Sequence, residues 1–166
     1  MSLSDETVRL LKKRAMDERE KAIARSCAAL FDILPLNEAM PQLTGSRPKH
    51  TELVEAILKE WTLADRPELA AGLWLYVDNL ERSHAVSQGI ESATGSFWHG
   101  IMHRREGDYS NSHYWMRKAA GHPLFAQLQP EELVDLVAAA VGMDDPSLVR
   151  RQREEWKALF EWCCAN

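Results

Sequence analysis

Pro67-Glu68-Leu69-Ala70-Ala71-Gly72-Leu73-Trp74-Leu75-Tyr76-Val77-Asp78-Asn79-Leu80-Glu81-Arg82-Ser83-His84-Ala85-Val86-Ser87-Gln88 is the stretch whose reading decides the fold. Leu73 to Val77 would be apolar on every side of a helix, which marks an element buried from more than one direction. Pro67 suits a first helical turn, with Asp65 as a candidate cap. The pattern predicts one helix over residues 67–88, or to Ile90. Residues 91–95 read as a turn, and residues 96–106 as a short helix that Gly107 ends, because glycine accepts the left-handed backbone. The short turn predicts that these two helices pack antiparallel as a central pair.

Outward from that pair the chain continues to read as helix. Residues 5–34 carry an apolar stripe of Val8, Leu11, Ala15, Ile23, Cys27, Leu30 and Leu34 among many charges, as one helix or two with a bend. Pro35, Pro41, Gly45 and Pro48 then break the chain. Residues 51–61 form a helix with Val54, Ile57 and Trp61 on one face. Asp108 or Ser110 starts a helix that Gly121-His122-Pro123 stops. Residues 131–141 are amphipathic, and Asp145-Pro146 opens a last helix to about Trp162, anchored by Trp156, Leu159 and Phe160. No period-2 segment, internal repeat or linker interrupts this. The expectation is an all-α, single-domain helical bundle over residues 1–166, of six or seven helices, with a buried central helix pair.

The net charge of -5 disfavours broad nucleic-acid binding, which needs clustered Lys and Arg to neutralise phosphates. No apolar run is long enough for a membrane span. The first residues, Met1 to Glu6, lack the basic-then-apolar pattern of a secretory signal. Cys27, Cys163 and Cys164 make no disulfide framework. A reducing, cytoplasmic setting is expected. Six tryptophans are many for 166 residues. The stripe Trp156, Phe160 and Trp162 suggests a homodimer through an exposed helix face.

Residues 96–115 concentrate the chemistry, with three of the six histidines. His99, His103 and Glu106 stand at i, i+4 and i+7, on one helical face. His84 and Glu81 lie on the preceding helix. Two readings stay open. The favoured one is a structural polar network of His84, His103, Glu106, Asp108 and Asn111 that fixes a unique core. The alternative is a divalent metal (zinc, iron or manganese) held by His84, His99 and His103. Glu106 or Glu81 would then be a fourth ligand or general base, as in a metal-dependent hydrolase. The zincin signature is absent, since Gly100 follows His99. Gly100 reads as a close-packing position, and Asp108 as a helix cap. Arg104, Arg105 and Arg117 beside Tyr114 and Trp115 suit a small anion or a partner surface. His50 and His122, beside Pro48 and Pro123, are expected in loops where replacement does little.

The segment His99, His103, Arg104, Glu106, Asp108, Asn111, Tyr114, Trp115 and Arg117 resembles the core of a group of uncharacterised small bacterial and fungal proteins. That core has the form His-x-x-x-His-Arg-x-Glu-x-Asp-x-x-Asn-x-x-Tyr-Trp-x-Arg. Glu81, His84 and Gln88, with Asp78 one turn earlier, match its upstream Asp/Glu-x-x-His-x-x-x-Gln element. The match spans about forty residues. It implies an all-helical protein and no particular activity. An early histidine followed by His-x-x-x-His is also similar in architecture to the DinB-like metal proteins, with His50 or His84 joining His99 and His103.

Overall fold

The computed structural model describes residues 5–166. Among them nine helical segments and no strand form: α1 (Asp5–Ile33), α2 (Thr51–Leu58), α3 (Pro67–Tyr76), α4 (Leu80–Ser87), α5 (Ala93–Glu106), α6 (Tyr109–Lys118), α7 (Phe125–Leu128), α8 (Pro130–Ala139) and α9 (Pro146–Ala165). The all-α expectation holds. The helix count exceeds the expected six or seven, because the 67–88 segment is two helices and the single turn α7 is added. Part of the Met1 to Glu6 reading lies outside the described residues. No helix among them is long and apolar enough to cross a membrane.

The break at Asp78 has a clear backbone cause. Val77 caps α3, and Asp78 takes a left-handed φ of 61°. The Asp78 N–H bonds back to the Leu75 carbonyl at 3.1 Å and the Asn79 N–H to the Trp74 carbonyl at 2.8 Å. These are the paired bonds of a Schellman ending. Asn79 then caps α4, its side chain accepting from the Arg82 N–H. Aspartate and asparagine tolerate the left-handed region better than most residues, so Asp78-Asn79 turns the chain where glycine would be the usual choice. Gly107 closes α5 in the expected left-handed cap, at φ 82°. Helix α5 begins three residues before the expected start, because Ser92 caps it by accepting from the Gly95 N–H at 3.1 Å.

Every residue of α3 from Ala71 to Tyr76 is buried, and so is every residue of α5 from Thr94 to Arg105. One large apolar cluster runs from Ile23 of α1 through Leu73, Trp98 and Met102 to Phe160 of α9. A smaller one joins Leu43, Leu133, Val137 and Val149. Trp156 stacks on Phe160 at 4.7 Å, and its indole N–H donates to the Gly72 carbonyl at 2.7 Å. Both rings are therefore core, not the exposed C-terminal dimer face expected from the sequence. Trp61 departs the other way. Helix α2 ends at Leu58, and Trp61, placed in the following turn, is 84% exposed. His122 is no loop bystander either. It is buried against Trp162 and Phe97, and its Nδ1 accepts from the Leu124 N–H.

Candidate metal centre

The kink at Asp78 brings α4 against α5, and His84 meets His99 and His103 there. Their ligand atoms all lie within 4.8 Å of one another. The His99 and His103 rings are nearly parallel, with centroids 4.8 Å apart. His84 stands edge-on to both, at 4.9 Å and 5.4 Å. Trp115 of α6 covers the outer face of the cluster, stacked on His99 at 3.9 Å. That approach needs α5 and α6 close together. Gly100 allows it: a Cβ at Gly100 would meet the Met116 Sδ at 2.8 Å, and the Ser112 hydroxyl donates to the Gly100 carbonyl at 2.7 Å.

The three imidazoles have different surroundings. His103 Nδ1 lies 3.0 Å from a Glu106 carboxylate oxygen and 3.9 Å from Asp108. A carboxylate can only accept, so Nδ1 is the donor of that hydrogen bond. His99 is 3% exposed, and neither ring nitrogen has a hydrogen-bond partner. Burial, then the neighbouring His103, His84 and Lys118, lower its pKa to about 4, so the ring is neutral. His84 is half-buried and makes no hydrogen bond through its side chain among the described residues. The polar network expected from the sequence is thus only partly built. Glu106 holds His103, and Asp108 caps α6 by accepting from the Asn111 N–H and side-chain amide. Neither His84 nor His99 joins it.

Three imidazoles that converge, two of them buried, are a donor set that suits a divalent transition metal. A tetrahedral ion with nitrogens at ~2.1 Å would hold them ~3.4 Å apart, inside the 4.8 Å that bounds the present set. The remaining expected residues fall elsewhere. Glu81 is exposed and stands outside the converging group. Glu106 reaches the site through His103, not as a converging ligand atom.

The anion patch expected at Arg104, Arg105 and Arg117 does not assemble. Arg104 is fully buried and pairs two-pronged with Glu155 of α9, at 2.8 Å and 3.2 Å. Arg105 is buried against Asp78 at 2.5 Å and donates to the Leu75 carbonyl at 2.9 Å. A guanidinium in the interior needs such a carboxylate to offset desolvation. Arg117 and Tyr114 remain on the surface, where Lys118 lies 5.0 Å over the Tyr114 ring and 4.8 Å over Trp115. Glu155 escaped the sequence reading. Its signal was its place with Gln152, Trp156 and Leu159 at i, i+3, i+4 and i+7 on one helical face.

No protein-family model, curated protein or solved structure matches the chain.

Proposed function

We propose that the chain is a divalent-metal protein whose site is His84, His99 and His103. The observation that carries this reading is His99: a ring 3% exposed, with both nitrogens unpartnered, inside a group of three imidazoles within 4.8 Å. Burying an unsatisfied polar group costs roughly 1–3 kcal/mol. A metal bond would supply the missing partner. Glu106 supports the same reading, since a carboxylate on the far nitrogen orients a ligating histidine and raises its basicity. Three neutral nitrogen ligands favour zinc or iron(II) over manganese(II). Three protein ligands would also leave room for a water, which the metal could activate for hydrolysis. The segments that resemble the core and upstream element of the uncharacterised family contain all three histidines and Glu106.

Elemental analysis of protein purified without a histidine tag or chelator tests this directly. The expected result is close to one equivalent of zinc or iron per chain, or uptake of one equivalent on addition. His99→Phe is the informative variant. It should abolish tight binding, while the metal-free protein keeps or raises its melting temperature, because an apolar ring of similar shape replaces an unsatisfied one. Less than a tenth of an equivalent, with no uptake of zinc, iron or manganese, would end the proposal.

A further inference from the structure

Helix α1 is 29 residues long, about 43 Å at 1.5 Å per residue, yet its first buried residue is Ala22. Residues 9–19 are exposed throughout, including Leu10 at 56% and Met16 at 40%. Farther along, the same helix forms one wall of an apolar cavity of about 550 Å³ against α9. Ile23, Cys27, Phe31, Trp156 and Phe160 line it, together with the charged Glu20, Lys21, Lys157 and Glu161. Helical spacing puts Arg9, Leu10, Lys13, Met16 and Asp17 on the line that continues through Glu20, Ala24 and Cys27. From Arg9 onward that line is basic and apolar as far as Met16 and acidic from Asp17 to Glu20, with Glu6 one turn before Leu10 on the same face. Arg9, Lys13, Asp17 and Glu20 form no ion pair among the described residues.

A sequence of charges that reverses sign along one face is complementary to itself when two copies run antiparallel. We propose that a second copy of this chain covers α1, the two helices packing antiparallel about a two-fold axis near Met16 and Asp17. In that register Lys13 faces the partner's Glu20, twice by symmetry. Leu10 meets the partner's Ala24 at the mouth of the aromatic cavity, and the two Met16 side chains flank the axis. The projecting half of α1 cannot fill the cavity of its own chain, because it extends straight from that cavity's wall. In a reciprocal pair it fills the other's.

Sedimentation equilibrium of the full chain between 1 and 100 µM tests this. The expected result is a dimer that Lys13→Glu weakens at least tenfold, that Leu10→Asp abolishes, and that Lys13→Glu combined with Glu20→Lys restores. Circular dichroism and metal content should match the parent in all three variants, which separates lost pairing from lost folding. A monomer at 100 µM overturns the proposal. So does a dimer indifferent to these changes, which would use another face. A monomer whose cavity binds an apolar dye stoichiometrically also overturns it, by pointing to a small-molecule occupant.

Discussion

His99 carries a conflict that a packed core seldom tolerates, and the conflict sets its pH behaviour. Its folded pKa of about 4 lies below the ordinary 6.5, chiefly from burial, so the unfolded chain binds the proton more readily than the folded one. The stabilisation is therefore complete above about pH 6.5 and is lost as pH falls from there through about 4. For metal-free protein the loss over that window should be on the order of 3 kcal/mol, read from urea midpoints at several pH values. His99→Phe should flatten that part of the profile. A profile equally steep in both proteins would place the titrating group elsewhere. The shared face of His99 and His103 could be read from the chain, because i, i+4 spacing on one helix is local information. The missing partners of His99 could not, since they depend on what α4 and α6 bring against it.

At the scale of elements, the buried pair of Asp78 and Arg105 ties the bend between α3 and α4 to the last turn of α5. It thereby fixes where His84 stands relative to His99 and His103. Arg105→Met should cost about 3–5 kcal/mol in denaturant unfolding, because it strands a buried carboxylate. On the proposed metal reading it should also weaken zinc uptake by moving α4. Adding Asp78→Gly should recover most of the stability, since glycine accepts the left-handed φ of 61° without strain and no charge is left unpaired. No recovery in the double variant would mean that the pair does more than hold the bend. The break was hidden because apolar periodicity runs straight through residues 73–86, and only Asp78-Asn79 marks it. Helix ends with stronger local chemistry, Gly107 and Asp108 above all, stand where the sequence put them. Arg104 and Arg105 misled because their partners, Glu155 and Asp78, lie 51 and 27 residues away. Charge on a sequence says nothing about burial until the partner is known.

Across the whole molecule, helical periodicity made the all-α architecture legible, and the apolar run of α3 located the core. The assignment of tryptophans to inside and outside was not legible. Trp156 is packed by Phe31 and Tyr76 from distant helices, whereas Trp61 lost its place when α2 stopped early. One feature of the site bears on how the chain reaches its native state. The three histidines span only residues 84–103, within two consecutive helices, whereas the core also needs α1 and α9 from opposite ends of the chain. Closing a short segment is fast and entropically cheap compared with joining distant ends. On the proposed metal reading, coordination would therefore be complete at the rate-limiting barrier, before the termini dock. Saturating zinc should speed refolding in stopped-flow mixing and leave the unfolding limb nearly unchanged. Zinc that slowed only unfolding would mean that the site closes last.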